Sequence, residues 1–314
     1  MRAVVARDGE MSVRDEPEPA LGERDVLVKV HAAGLNGADM LQRVGKYPPP
    51  PGTPNPDVLG MELAGEVVEN GAGAGRFKPG ERVMAIVATG AQAQLAAVPE
   101  SLLMPVPDAL DLTAAGGVPE VFTTAHDAIF TQAGLQPGER LLVHGAAGGV
   151  GTAAVQLGHA VGAYVVATVR NPDHRAAVAN LGADSVIDPE GFAEAGPFDV
   201  ILELVGAPNM PGNLQALATG GRIAVIGTGA GREAELNLGL LMSKRGRIHG
   251  STLRARPLEL KAQTARAMER DVLPLFERRA IEVPIAATYP LEQAVEAYDR
   301  FAAGGKLGKI ILTV

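Results

Sequence analysis

The chain contains no cysteine and no tryptophan. Without cysteine there is no disulfide framework, no thiolate-held zinc or iron–sulfur centre and no thiol nucleophile. A secreted scaffold stapled by disulfides is therefore not expected. Nor is there a run of like charge. Lysine and arginine number 28 against 36 aspartates and glutamates, a formal charge of -8, so a nucleic-acid partner held on a broad basic face is not expected. Long apolar runs are missing as well. None approaches the ~20 residues a membrane helix needs, and Met1–Val13 lacks the basic-then-apolar pattern of a signal peptide. The expectation is a cytoplasmic protein without a membrane or nucleic-acid partner. What is present is an ordinary globular composition, 46% hydrophobic and 20% charged over 314 residues, enough for roughly two domains.

Glycine is in excess, at 39 residues against a usual ~7%, and without a collagen period, so it marks turns and close backbone approaches. The first third reads as β-rich, with short apolar or alternating runs at Arg2–Val5, Val26–Val30, Leu63–Val68 and Arg82–Ile86, punctuated by Gly or Pro. Tyr47–Pro56 holds six prolines and reads as a rigid loop. The character changes after about Leu112. Leu112–Thr131 looks helical from about Glu120. Strand and helix patterns then alternate: strands at Arg140–His144, Tyr164–Val169, Ser185–Ile187, Asp199–Val205, Arg222–Ile226 and Arg247–Leu253, helices at Val150–Val161, Pro172–Leu181 and Asn209–Leu217. Near-continuous apolar strands such as Val200-Ile201-Leu202 fit a parallel sheet covered on both faces. A mixed-charge helix is expected at Pro257–Leu273. Leu291, Ala294, Val295, Tyr298, Phe301 and Ala302 share a helical face, and Lys309–Val314 reads as a last strand.

The strongest local signal is the strand Leu141-Leu142-Val143 running into Gly145, Gly148 and Gly151 and then a helix. Dinucleotide-binding turns need a tight first turn, backbone that can approach a pyrophosphate, and close helix-on-strand packing. The helix start then offers free N–H groups and partial positive charge to phosphate. Ala147 stands where the fingerprint has its second glycine, and a flexible surface loop is the alternative. About 20 residues on, an acid would bind the adenosine ribose. Here the second strand is followed by Arg170 and Asn171, with His174 and Arg175 close behind. That favours a 2′-phosphate and NADPH; the alternatives are that Arg170 is an exposed loop charge or that Asp173 turns inward.

With these features in place, the chain resembles over essentially its whole length the zinc-independent quinone oxidoreductase branch of the medium-chain dehydrogenases/reductases, especially the tumour-suppressor-inducible quinone oxidoreductases. The matching motifs are Gly34-Leu35-Asn36-Gly37-Ala38-Asp39, Gly45-Lys46-Tyr47 with its prolines, Leu59-Gly60-Met61-Glu62-Leu63-Ala64-Gly65, Gly90-Ala91-Gln92-Ala93-Gln94, Val118–Ala125, Gly145–Gly151 and Gly308-Lys309-Ile310-Ile311-Leu312. The resemblance implies an α/β architecture: a GroES-like β-rich catalytic domain from residues 1–117 and 257–314, and a Rossmann NADP-binding domain from 118–256. Zinc-dependent members place a Cys where Asn36 stands and a His where Met61 stands, and carry a four-Cys lobe, so no metal is expected.

Residue roles follow from the same resemblance. Asn36 and Asp39 match positions near the nicotinamide; an alternative for Asp39 is helix capping, and for Asn36 an ordinary turn. Tyr47 matches a tyrosine facing nicotinamide and substrate, able to stack on a flat ring or donate to a carbonyl; bracing the proline loop is the alternative. Thr124 matches a residue near the nicotinamide phosphate and ring. Ala147, Gly148, Gly149 and Val150 match the pyrophosphate turn, and Arg170 and His174 the 2′-phosphate region. Gly227, Thr228, Ser251, Thr252 and Leu253 match stretches lining adenosine and nicotinamide, and Lys306 lies near the closing cofactor contact. The implied activity is hydride transfer from NADPH to a quinone or similar conjugated carbonyl. Alternatives are reduction of α,β-unsaturated ketones or thioesters, and a non-enzymatic NADPH-binding role. A homodimer through the strand at Arg247–Leu253 is also implied.

Overall fold

Glycines and prolines cut the chain into short strands, and the computed structural model, which describes residues 1–7 and 9–314, gathers them into two units. The first unit comprises Met1–Thr123 and Leu253–Val314, the second Thr124–Thr252. No helix among the described residues is long and apolar enough to cross a membrane.

The first unit is built on a mostly antiparallel sheet of seven strands. In order they are Ile285–Pro290, Lys309–Thr313, Asp25–Gly34, Glu62–Asn70, Arg82–Ile86 and Met104–Pro105, with Leu95–Pro99 also pairing with Asp25–Gly34. A separate hairpin pairs Arg2–Arg7 with Glu10–Asp15. Alternation produces the half-buried strands expected of it: along Asp25–Gly34, Val26, Val28 and Val30 face the core and Lys29 faces out. The helix Ala294–Ala302 packs Ala294, Ala297 and Tyr298 against Val4, Leu35, Ile310 and Leu312. Its buried face differs from the expected one. Ala297 takes the place of Val295 and Ala302, which are exposed, because Val295 lies about 100° around the helix from Ala294.

The second unit is a six-stranded parallel sheet in the order Ser185–Ile187, Tyr164–Thr168, Arg140–Val143, Phe198–Glu203, Leu217–Val225, Arg247–Gly250. Numbered along the chain this is 3-2-1-4-5-6, the Rossmann order, with its switch point between Arg140–Val143 and Phe198–Glu203. Leu142, Val166, Phe198, Ile201, Leu217 and Ile223 fill one of its cores, and Gly151–Gly158 of the helix Gly149–Ala160 are buried throughout. The segment expected as helical from about Glu120 to Thr131 does not stay α-helical throughout. Leu112–Ala115 and Pro119–His126 are separate α-helices, and Asp127–Gln132 widens into a π-turn. The strand at Leu217–Val225 starts five residues earlier than expected, and Arg247–Gly250 ends before Ser251.

Candidate functional site

The glycine turn lies at the switch point of the parallel sheet. Gly145 adopts φ +61°, a left-handed conformation that favours glycine. A Cβ on Gly151 would lie 2.5 Å from the Gly145 carbonyl oxygen and 2.6 Å from Ala146 Cα. Backbone cannot yield as a side chain can, so this position excludes other residues and brings the helix onto the turn. Gly148 caps the helix Gly149–Ala160 without a side-chain bond, leaving the first helical N–H groups, at Gly149, Val150 and Gly151, aimed off the helix start. Ala147, Gly148, Gly149 and Val150 are each partly accessible.

The other expected nucleotide residues of this unit lie, with one exception, past the carboxyl ends of the same sheet. Arg170 is exposed beyond Tyr164–Thr168, and His174 ends the short turn Pro172–His174. Asp173 is exposed in that turn, its N–H donating to the Asn171 side chain. Gly227 and Thr228 follow Leu217–Val225, and Ser251 and Thr252 follow Arg247–Gly250. The exception is Thr124, buried in the helix Pro119–His126. Ser251 donates its hydroxyl to Asp127 Oδ2 at 3.2 Å, and Asp127 is buried in the π-turn. Its role was not foreseen, and with Thr123, Thr124 and His126 polar beside it nothing in the sequence marks it out.

In the first unit, Asn36 and Asp39 are brought together at the start of the helix Gly37–Arg43. Asp39 Oδ2 accepts from the Asn36 backbone N–H at 2.9 Å, one half of a capping box. The Asn36 side chain turns instead to a buried pair of charges. Its Nδ2 donates to Glu62 Oε1 at 2.9 Å and its Oδ1 accepts from Lys309 Nζ at 2.7 Å. Lys309 Nζ also reaches Glu62 Oε1 at 2.6 Å and the Leu35 carbonyl at 2.8 Å, while Glu62 Oε2 takes the Glu120 N–H. Strand register explains this cluster. Leu35 pairs with Ile310 and Ala32 with Ala64, which places Lys309 across from Asn36 and Glu62 across from Gly34. A buried ion pair persists when its remaining polar groups are also satisfied, as they are here.

Asp39 is wholly buried, and Oδ1 has no hydrogen-bond partner among the described residues. Burial pushes its carboxyl up to about 7, against the lowering pull of the Asn36 N–H and of Lys309.

Tyr47 is half-buried in the proline loop. Its ring lies 4.9 Å from the Arg254 guanidinium, and its carbonyl accepts from Arg254 Nη1 at 2.8 Å. Arg254 also donates to the Ala88 carbonyl and to Gln42 Oε1, so one guanidinium ties the Tyr47 loop to the helix that carries Asp39. Leu253 precedes it, half-buried. Lys306 stands apart, in the loop before Lys309–Thr313. It donates to the Gly308 carbonyl and lies 4.5 Å from the Phe301 ring centre. Burial, with Lys309 and Arg300 nearby, lowers its ammonium to about 8.

Glu62 and Lys309 lie within the matching motifs but had no expected role, and Arg254 was not expected at all. Neither charge stands out along the chain: Glu62 opens a strand that also carries Glu66 and Glu69, and Lys309 only opens the apolar run Ile310-Ile311-Leu312.

Comparison with known proteins fits this geometry. Residues 22–108 match the alcohol dehydrogenase GroES-like domain, and residues 149–270 the family described as zinc-binding dehydrogenase. The chain is 33% identical over 307 residues to a quinone oxidoreductase of Rattus norvegicus, covering 94% of this chain and 90% of that one. It is also 33% identical over 299 residues to part of polyketide synthase GfsB of Streptomyces halstedii, covering 94% of this chain and 5% of that protein. A solved Pseudomonas syringae quinone oxidoreductase superposes with a TM-score of 0.87 at 28% identity, each chain wholly covered.

The zinc in the second family's description does not fit the donors present. The chain has no cysteine, and no group of three His, Asp or Glu side chains among the described residues could hold a metal. Asn36 Oδ1 and Glu62 Oε1 already accept from the Lys309 ammonium, whose charge would repel a divalent cation. Likeness over nine-tenths of both chains shows that this oxidoreductase belongs to the quinone oxidoreductase family of the medium-chain dehydrogenase/reductase superfamily.

Proposed function

We propose that the protein reduces quinones, or similarly conjugated carbonyls, with hydride from NADPH and without a metal. The observation that carries this reading is the glycine turn: left-handed Gly145, a Gly151 that admits no Cβ, and a helix start at the switch point of a 3-2-1-4-5-6 sheet. Bound there, NADPH would supply the hydride. The N–H groups of Gly149, Val150 and Gly151 would receive its pyrophosphate. Arg170 and His174 would hold the 2′-phosphate, a choice supported by the absence of an acid at the end of Tyr164–Thr168. Thr124, Gly227, Thr228, Ser251, Thr252, Leu253 and Lys306 are the further candidate cofactor contacts.

A quinone is electron-poor enough to accept hydride without a Lewis acid. The proton that completes the hydroquinone comes from the Tyr47 phenol or from solvent. Asn36, held by Glu62 and Lys309, and Asp39 are the remaining catalytic candidates. The chain acts as a homodimer through Arg247–Gly250. That reading is supported by the strand's place at the sheet edge and by the exposed Leu238 and Met242 on the helix before it.

A second reading, reduction of α,β-unsaturated ketones or thioesters, is supported by the likeness to part of a polyketide synthase. One experiment separates the two. Purified protein and NADPH are mixed with ortho- and para-quinones, enones and enoyl thioesters. Turnover of quinones but not enoyl thioesters is expected, with Tyr47→Phe lowering kcat/KM about tenfold or more. Enoyl-thioester turnover alone selects the second reading. No NADPH oxidation above the enzyme-free rate with any acceptor overturns both.

A further inference from the structure

His144 is the residue immediately before the turn glycine and is fully buried. Its ring meets the edge of Phe192 at 4.5 Å. Nε2 lies 2.7 Å from Asn213 Oδ1, and Nδ1 lies 3.2 Å from Thr168 Oγ1. Asn213 Nδ2 donates to Glu203 Oε2 at 2.6 Å. Glu203 Oε1 takes the backbone N–H groups of Val205 and Gly206 at 2.7 and 2.8 Å, and the Asn209 amide at 3.3 Å. At the other end, Thr168 Oγ1 accepts from the Gly145 N–H at 3.3 Å, and the Thr168 carbonyl accepts from the Ala146 N–H at 3.1 Å.

These bonds admit one direction. A carboxylate only accepts, so the Asn213 amide nitrogen faces Glu203 and its oxygen faces His144. His144 Nε2 must then carry the proton, and Nδ1 must accept. The Thr168 hydroxyl therefore donates to Nδ1, which leaves its own oxygen to receive the Gly145 N–H. Every donor along the line points from Gly145 towards Glu203. Burial lowers the imidazole's affinity for a second proton, which keeps Nδ1 bare.

The residues at the ends of this line have a specific place. Thr168 ends the second strand of the Rossmann order, His144 follows the first and Glu203 ends the fourth. The loops they hold, at 145–146 and 205–206, follow the two strands on either side of the switch point, where dinucleotides bind.

We propose that Thr168, His144, Asn213 and Glu203 form a directed hydrogen-bond relay that sets the shape of both loops and so acts as a set of positioning residues for the dinucleotide. This rests on the dinucleotide reading given above. None of the four is a catalytic residue. Their work is to spend the Gly145 and Ala146 N–H groups on Thr168, so that the pyrophosphate meets the helix start instead, and to hold the Val205–Gly206 loop at a fixed distance from that turn.

The test uses the full chain and NADPH. Because the protein has no tryptophan, the cofactor's own fluorescence reports binding cleanly. Thr168→Val removes the hydroxyl that joins Gly145 to His144, while Thr168→Ser keeps it. The relay predicts that Thr168→Val raises the Kd for NADPH about tenfold, the scale of one buried hydrogen bond lost, and that Thr168→Ser stays within about twofold. KM for NADPH should rise more than kcat falls. Long-range 1H–15N spectra of the unsubstituted protein should show His144 protonated at Nε2 and bare at Nδ1, an arm that stands even if Thr168→Val does not fold. A His144 protonated at Nδ1, or a Thr168→Val protein that binds NADPH as tightly as the unsubstituted chain, overturns the relay alone. An unsubstituted protein that does not bind NADPH overturns the dinucleotide reading and the relay with it.

Discussion

Asp39 holds a proton in the folded protein at a pH where the unfolded chain has released it. Its carboxyl is raised to about 7 by burial, while an exposed aspartate titrates near 3.9. Between those values the folded state binds more protons, so stability falls as pH rises, and above about 7 the full cost of an ionised buried carboxylate is present. Linkage puts that cost at no more than about 4 kcal/mol. Asp39→Asn should therefore gain stability relative to the unsubstituted protein on going from pH 5 to pH 8, measured by urea unfolding at both. A constant difference across that range would mean that Asp39 is ionised throughout. The buried Lys309–Glu62 pair makes the opposite kind of statement. Lys309→Met leaves Glu62 as an unpaired buried charge, and the expected loss is about 3–5 kcal/mol. The double variant with Glu62→Gln should lose less than the two single losses added together, because the stranded charge is gone. Strict additivity in denaturant unfolding would contradict a direct pairing.

Elements differ in how plainly the sequence announces them. The strand, glycine turn and helix from Arg140 to Ala160 were legible because three signals coincide there: an apolar run, glycines at fixed spacing and a helical period. Gly151 is the position on which that element depends. Gly151→Val would press a branched side chain into the Gly145 carbonyl and Ala146 backbone. It should weaken NADPH binding by well over tenfold and lower the melting temperature; unchanged affinity in a titration would remove the turn from the cofactor site. Other elements were not legible. The strands Glu10–Asp15 and Ile285–Pro290 bury no side chain fully and so carry no apolar run, and the helix Gly37–Arg43, at seven residues, spans about two turns. The π-turn at Asp127–Gln132 has no period of its own and reads as ordinary helix. In the candidate site, backbone-defined positions such as Ala147–Val150 could be found from glycine spacing. Side chains that work through buried pairing, such as Glu62, Arg254 and His144, could not, since a linear reading places charged and polar residues outside.

Across the whole molecule, the first unit is assembled from two stretches that lie far apart in the chain. Lys309 and Glu62 are 247 residues apart in sequence, and their pairing joins the last strand to the sheet begun by the N-terminal stretch. The second unit is continuous and carries the turn that defines the proposed chemistry. The proposed chemistry is direct hydride transfer from NADPH to a quinone. The most direct test is an anaerobic rate measurement with NADPH carrying deuterium at either face of nicotinamide C4. Direct transfer predicts one NADPH consumed per quinone reduced, with a primary isotope effect for deuterium on one face only. Oxidation no faster than without the protein, or with no isotope effect on either face under single-turnover conditions, would contradict it.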